Sequence, residues 1–154
     1  MAESTTGIHR IYVAGPLYNA GERWYLECVD QVCRDMGYDT FLPHRDAGLC
    51  PSSGDGGGAL YVADKENLDT VDMVVAVLNG SSIDSGTAWE IGYAHARRCR
   101  VIGLYDDTRV DDPQSNINLM IYHSVELCNS LEGLKEKLRV TRRGAREEGI
   151  HRDE

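Results

Sequence analysis

The chain lacks any run of about 18 apolar residues, so a membrane-spanning helix is not expected. Basic residues are few: 16 lysines and arginines stand against 25 acids, and the net charge of −9 argues against nonspecific binding to nucleic-acid polymers. The five cysteines contain no CxxC pair, and an odd number does not suit a closed disulfide framework. We therefore expect no membrane partner and no nucleic-acid polymer, and we expect a reducing, cytoplasmic compartment.

Several ligand motifs are also missing. The sequence has no GxGxxG after its first apolar run, no GxxxxGK[ST], no GxSxG and no histidine pair at zinc spacing. His44, Asp46 and Cys50 lie close together, and we interpret them as ordinary loop polarity, with a metal site as the alternative. We expect neither a cofactor nor a metal.

What is present is an alternation of short apolar runs with helical periodicity. Strands are predicted at 8–14, 38–42, 72–78, 100–105 and 124–128, and helices at 20–36, 59–69, 85–98 and 131–138. This order predicts an α/β fold: one doubly wound, flavodoxin-like or Rossmann-like domain with a mostly parallel sheet of five strands. We assign residues 1–138 to that domain and expect the charged segment 139–154 to be a disordered tail.

The first helix has clear boundaries in the sequence. Asn19 and Glu22 form a capping-box pattern, and Gly37 suits the position after the last turn. An apolar residue recurs every fourth position along it, which predicts the buried face; these residues are Trp24, Cys28, Val32 and Met36.

Ligands of such sheets bind beyond the carboxyl ends of the strands. The segments to consider are therefore 15–19, 43–46, 79–90 and 106–120. The stretch 43–58 is rich in glycine and proline, and we predict a loop there, since long loops in compact domains often serve a function.

Carboxylates mark two of the helices near these strand ends. Asp84 lies at a loop-to-helix junction and Glu90 in the first turn or so of the helix, where Thr87-x-x-Glu90 also matches a capping box; catalytic and structural roles both stay open. Asp64 lies on the preceding helix, with a solvated helix face as its alternative role. Gly92 is costly within a helix, and close packing of helix against strand would explain it. Paired carboxylates suit cleavage of a glycosidic bond.

Four stretches in this order resemble the nucleoside 2-deoxyribosyltransferase family, over most of the chain from Arg10 to about Glu126. They are IYVAGPLY at 11–18, the spacing Asp64-x7-Asp72 before VVAVL, DSGTAWEIGYA at 84–94 and NINLM at 116–120. The third stretch is the most specific of the four.

The resemblance implies a role for each matched residue. Glu90 matches the nucleophile that forms a glycosyl-enzyme intermediate, Tyr12 the residue that positions it, and Asp84 and Asp64 the acids that bind and protonate the leaving base. Asn118 matches a residue that reaches, from a neighbouring subunit, the 5′-hydroxyl of the bound deoxyribose. This implies a homodimer or higher homo-oligomer with a shared site. The substrate-binding residues it implies are Gly15, Pro16, Leu17, Gly86, Asn118 and Met120.

The implied function is transfer of deoxyribose from one base to another, with a nucleoside or nucleotide and a free base as partners. The alternative is an N-glycoside hydrolase acting on a nucleoside or a nucleoside 5′-monophosphate. Related hydrolases hold the phosphate with a Gly-Ser-x-Arg type loop, which the first loop here lacks, although Arg23 is near. His44 and Arg45 could equally contact a phosphate. A non-catalytic nucleotide-binding domain is the alternative from another class.

Overall fold

The structure, a computed structural model, describes residues 10–50, 56–109 and 111–150, with only the backbone of 142–150. Its sheet contains β1 (Arg10–Ala14), β2 (Asp39–Phe41), β3 (Met73–Val77), β4 (Arg100–Leu104) and β5 (Glu126–Cys128). The strand order is β2-β1-β3-β4-β5 and every neighbouring pair is parallel. The predicted doubly wound α/β fold is confirmed. Residues 8 and 9 of the first predicted strand lie outside the described residues.

Seven helices are described between and after the strands. They are α1 (Ala20–Asp35), α2 (Pro43–Asp46), α3 (Gly57–Thr70), α4 (Ser85–Ala96), α5 (Pro113–Asn116), α6 (Leu119–Tyr122) and α7 (Leu131–Ile150). None of the helices in the described residues is long and apolar enough to cross a membrane.

The core lies on both faces of the sheet because alternate strand residues point to opposite sides. Ile11, Val13 and Val75 pack with α1 and α7 on one face, whereas Tyr12 and Val74 pack with α3 and α4 on the other. All five residues of β3 are buried, as a central parallel strand requires. The chain changes direction at β1, whose neighbours are β2 and β3, so the switch point of this fold lies between β1 and β3.

The first helix confirms its predicted cap and only part of its predicted face. Asn19 and Glu22 exchange both capping-box hydrogen bonds, and Gly37 has a φ of 82°. Val32 is buried as predicted, but the rest of the buried stripe runs through Leu26, Val29 and Cys33, and Trp24 remains 62% exposed. The i+4 repeat was the wrong periodicity, because a helix of 3.6 residues per turn drifts away from a strict four-residue row.

The structure also differs from the predicted loops and helix ends. The segment 43–58, predicted as a loop, forms the turn of α2 at its start and the beginning of α3 at Gly57; residues 51–55 lie outside the described residues. Pro43 starts α2 because its fixed φ suits a first helical position. The segment 106–120, for which no helix was predicted, contains α5 at Pro113–Asn116.

The last helix runs beyond its predicted end at Leu138 as far as Ile150. Arginine, alanine and glutamate are good helix formers and no proline interrupts them, which accounts for the extension. Residues 151–154 lie outside the described residues. The division between a domain and a tail at residue 138 stays a prediction.

Candidate active site

A cavity of about 700 Å³ opens beside the switch point of the sheet. Its walls come from the loop after β1, from α3, from the segment 43–50 and from the first turns of α4. Seven of the predicted site residues contribute to it: Tyr12 lies underneath, and the cavity is lined by Gly15, Leu17, Asp64, Asp84, Gly86 and Glu90. We call Asp64, Asp84 and Glu90 the cavity acids.

A buried tyrosine holds Glu90 at the floor of the cavity. Tyr12 lies on β1 with no exposed surface, and its hydroxyl donates to Glu90 Oε1 at 2.6 Å. Burial, and then the charge and hydrogen bond of Glu90, raise the pKa of Tyr12 well above its ordinary value. The hydroxyl therefore stays protonated and is a fixed donor, which leaves Oε2 of Glu90 for a ligand.

Burial also sets the protonation of Glu90. It raises the pKa of Glu90 to about 8; the Tyr12 hydrogen bond opposes this rise, and the charges of Asp64 and Asp84 add to it. The expected first-turn position is wrong: α4 begins at Ser85, so Glu90 lies in the second turn, beyond the first-turn amides. The helix N-terminus therefore does little to stabilise its carboxylate, because this effect falls off within one turn.

Asp84 rather than Thr87 caps α4. Its Oδ2 accepts from the backbone N–H of Thr87 at 2.9 Å and from the Thr87 hydroxyl at 3.0 Å. The capping box predicted from Thr87 to Glu90 is therefore absent here, and Glu90 is freed from that structural role. The other oxygen, Oδ1, accepts from the Tyr18 hydroxyl at 2.8 Å.

Asp64 faces the cavity from α3 with little to stabilise its charge. Its Oδ1 is buried and has no hydrogen-bond partner in the structure. Burial raises the pKa of Asp64 to about 6. A carboxyl of this kind holds a proton near neutral pH more readily than an exposed aspartate does, and it is suited to donating that proton.

The loop after β1 approaches the core too closely for a side chain at Gly15. A Cβ there would lie 2.5 Å from Leu26 Cδ2 and 3.3 Å from Val77 Cβ. Gly15 thus lets the loop turn tightly into the cavity wall. The close-packing explanation of Gly92 is wrong, since a Cβ at that position would meet nothing within 4 Å.

An aromatic wall, made of Tyr61, Trp89 and Tyr93, stands at one side of the cavity. The Trp89 and Tyr93 rings stack with centroids 5.1 Å apart and planes at 8°, and Tyr61 meets Trp89 edge-on at 6.0 Å. Trp89 is 46% exposed although it is a large aromatic residue. Tyr61 and Trp89 line the cavity, so this wall offers a flat surface to a ring-shaped ligand.

Sequence reasoning missed several residues of the cavity. It is also lined by Tyr18, Tyr61, Lys65 and Trp89, which were not singled out, and by Arg23, which was noted only as a residue near the first loop. Some signal was available: Tyr18 ends the IYVAGPLY stretch, Tyr61 precedes Asp64 by nearly one helical turn, and Trp89 adjoins Glu90.

Three predicted substrate-binding residues do not line the cavity of their own chain. Pro16 is partly exposed beside it and does not line it. Asn118 caps α6 by accepting from the backbone N–H of Met120 at 2.9 Å, and Met120 is 70% exposed.

Metal binding has no support among the residues that the structure describes. No group of three or more His, Cys, Asp or Glu side chains there is placed to hold a metal ion. Asp46 is instead bound to the guanidinium of Arg45, and His44 Nε2 lies 3.0 Å from Glu27 Oε1. All five cysteines are free thiols.

Doubly wound α/β proteins bind small ligands at the switch point of the sheet. This chain has the features of that class, with a buried tyrosine–glutamate pair beside an acidic cavity at its switch point. The chain belongs to the nucleoside 2-deoxyribosyltransferase family, because the sequence model of that family matches residues 11–120. This match confirms the resemblance carried by the four stretches. No curated protein matches the chain.

Solved structures share the fold. A conserved protein from Enterococcus faecalis V583 is 27% identical, with a TM-score of 0.75 over 86% of this chain and 98% of its own. A 2-deoxyribosyltransferase from Bacillus psychrosaccharolyticus is 23% identical, with a TM-score of 0.70 over 84% and 95%. A CMP N-glycosidase from Clostridium botulinum is 18% identical, with a TM-score of 0.52 over 84% and 98%.

Proposed function

We propose that this protein is a nucleoside 2-deoxyribosyltransferase that works through a covalent intermediate on Glu90. Family membership supports an enzyme that acts on N-glycosidic bonds. The observation that carries the assignment is the hydrogen bond from buried Tyr12 to Glu90, in a cavity that also holds the unpartnered oxygen of Asp64. This reaction needs a positioned carboxylate that attacks and a second carboxyl that donates a proton.

In the first half-reaction, Glu90 Oε2 attacks C1′ of the deoxyribose as the bond from C1′ to the base nitrogen breaks. The electron pair of that bond leaves with the base, and the proton of Asp64 neutralises it. A neutral base is a better leaving group than its anion. Tyr12 keeps Oε1 occupied throughout, which fixes the orientation of the attacking oxygen.

In the second half-reaction, a second base attacks C1′ of the glycosyl-Glu90 ester and releases the carboxylate. That base gives up its proton to Asp64, which returns to its starting state. Each displacement inverts the anomeric carbon, so the product keeps the configuration of the substrate. The free cysteines support a reducing, cytoplasmic setting for the reaction.

We assign substrate binding to the loop residues Gly15, Pro16 and Leu17 and to Gly86 at the start of α4. The aromatic wall suits the flat base, because aromatic rings favour stacked or edge-on neighbours. We further assign Asn118 and Met120 to the site of a neighbouring subunit. Their exposure at α6, away from the cavity of their own chain, supports this homo-oligomeric arrangement.

Hydrolysis of a nucleoside 5′-monophosphate is the second candidate. Arg23 lines the cavity and donates to the Leu17 carbonyl, and no acidic group in the described residues forms an ion pair with it. A guanidinium in that position could bind a phosphate. Three acids nearby oppose an anionic ligand, so we favour the free nucleoside.

Chromatography of one 2′-deoxynucleoside, with and without a second free base, tests the assignment. Transfer predicts a new deoxynucleoside that appears only when the second base is present. Free base and free sugar in both reactions would identify a hydrolase, and 5′-monophosphates would then be compared with nucleosides. Binding without any turnover would leave only a nucleotide-binding domain.

A mixing experiment tests the shared site. Glu90→Gln and Asn118→Ala are each expected to impair turnover when assayed alone. If Asn118 serves a neighbouring subunit, unfolding and refolding the two variants together should restore activity, because some sites then contain both wild-type residues. No recovery in confirmed mixed oligomers, with wild-type protein carried through the same treatment, would contradict the assignment.

A further inference from the structure

Tyr18 is held at the edge of the cavity by contacts at both of its ends. Its backbone N–H donates to Glu22 Oε2 at 2.8 Å, and the same oxygen accepts from Asn19 N, which ties the residue to the cap of α1. Its hydroxyl donates to Asp84 Oδ1 at 2.8 Å. The side chain therefore links the loop after β1 to the cap of α4, although it is 78% exposed.

This link gives Asp84 a third hydrogen-bond donor. Thr87 supplies two donors to Oδ2, and Tyr18 supplies the one donor to Oδ1. A carboxylate that accepts several hydrogen bonds is fixed in direction. Oδ2 is the oxygen that caps the helix. Among the described residues, the Tyr18 hydroxyl is the only donor to the other oxygen, Oδ1.

The two aspartates at the cavity consequently have different surroundings. Asp64 has a buried oxygen without a partner, whereas both oxygens of Asp84 are engaged by donors. Asp64 is suited to hold a proton, and Asp84 is suited to accept hydrogen bonds from a ligand. The difference depends on Tyr18, because Thr87 leaves Oδ1 unbound.

We propose that Tyr18 is a positioning residue whose hydroxyl fixes Asp84 as an acceptor, so that the leaving base is bound between a proton donor, Asp64, and an oriented acceptor, Asp84. This rests on the proposed function. The base would be one that presents an N–H toward Asp84. Tyr18 acts through Asp84 and takes no part in the bond changes at C1′.

Tyr18→Phe removes the hydroxyl and keeps the ring. Asp84 would hold the base equally in the ground state and the transition state, so the change should raise KM with little effect on kcat. We expect KM to rise about five- to tenfold, as for one exposed hydrogen bond to a charged group. The kcat should stay within about twofold and the melting temperature should not change. An unchanged KM, or a fall of kcat together with the melting temperature, would overturn the proposal.

A binding measurement separates this proposal from the reaction itself. In a Glu90→Gln background, Kd values for 2′-deoxyadenosine and 2′-deoxycytidine are measured by calorimetry with and without Tyr18→Phe. The nucleoside that binds more tightly should lose about five- to tenfold in affinity. An unchanged Kd overturns the role of Tyr18, whereas a wild type that binds but shows no base exchange overturns only the proposed function.

Two further variants show whether Tyr18 acts through Asp84. Asparagine is a good helix cap, so Asp84→Asn should fold, and Tyr18→Phe added to it should cost nothing further in KM. An equal cost in both backgrounds would contradict the proposal. Tyr25→Phe is the matched control, because Tyr25 also donates to an aspartate, Asp106, outside the cavity. It should lower the melting temperature and leave KM unchanged.

Discussion

Two groups of acids in this molecule lie only a few elements apart and are treated in opposite ways. The arginine-paired acids, Asp30 and Asp46, join α1 to α2: Asp30 Oδ2 accepts from Arg34 at 2.9 Å and from Arg45 at 2.7 Å. Both oxygens of Asp46 accept from Arg45 at 2.7 Å. None of the cavity acids forms an ion pair with a lysine or arginine of the described residues.

The consequence appears in the pKa values. The hydrogen bonds of Arg45 lower the pKa of Asp46, whereas burial raises the pKa of Glu90 to about 8 and that of Asp64 to about 6. The paired acids join α1 to α2, whereas burial disfavours the charged forms of Glu90 and Asp64. Perturbed carboxyls in a cavity are therefore the better guide to the active site.

The largest expected effect is on turnover. Glu90→Gln keeps the size of the side chain and an acceptor for Tyr12 but removes the proposed nucleophile, so kcat should fall by about a thousandfold or more in a base-exchange assay. Glu132→Gln is the control, since Glu132 is exposed on α7 and pairs only with Lys135 at 3.1 Å. A Glu90→Gln enzyme with near wild-type kcat would remove the distinction between the two groups of acids.

The pH dependence of kcat/KM should identify the two cavity groups. The proposed mechanism needs Glu90 ionised and Asp64 protonated, so with pKa values of about 8 and 6 the profile should be a bell with limbs near pH 6 and 8. Asp64→Asn removes the group that must be protonated. Its lower rate should therefore rise to a plateau above about pH 8 without the alkaline fall. A bell that persists in Asp64→Asn would assign the proton to another group.

Stability should depend on pH in opposite directions in the two groups. The raised pKa of Glu90 destabilises the fold as pH rises from about 4.5 to 8, so Glu90→Gln should gain about 4 kcal/mol relative to wild type over that interval. The pKa of Asp46 is lowered, so its carboxylate stabilises the fold at pH values above its ordinary pKa of 3.8. Asp46→Asn should cost about 1 kcal/mol at pH 7, a difference that shrinks as pH falls below 4.

Urea unfolding at several pH values measures both differences, with wild type as the reference at each pH. Parallel curves for the two variants would mean that the cavity acids are stabilised like the paired ones. A Glu90→Gln variant that gains nothing between pH 5 and 8 would contradict the burial of that carboxylate.

The sheet was predictable from the sequence because its central strands are continuous apolar runs that only a doubly covered parallel sheet buries. The run MVVAV forms β3 at the expected place, and the capping box at Asn19 starts α1 as predicted. Short turns such as α2 were not predictable, because one helical turn has no periodicity to detect. The buried face of α1 was predicted only in part, at Val32, because a strict four-residue repeat drifts off a helix of 3.6 residues per turn.

The positions of the cavity residues follow a similar division. Asp84 and Glu90 could be placed near a strand end from sequence, since a strand, a turn and a helix are read in order. Their electrostatics could not, because the pKa of Glu90 depends on burial by elements distant in the chain. The contact from Tyr18 to Asp84 joins residues 66 positions apart, and no local pattern indicates it.

Asp84 both caps α4 and faces the cavity, and these two roles limit which substitutions are tolerated there during evolution or in a library of variants. One of its oxygens starts a helix and the other faces the cavity, so nearly every replacement is tested twice, once for folding and once for binding. Tyr61 and Trp89 have no helix-capping role of this kind and cover one side of the cavity. Variation in ligand preference should therefore accumulate in the aromatic wall, while position 84 accepts very few residue types.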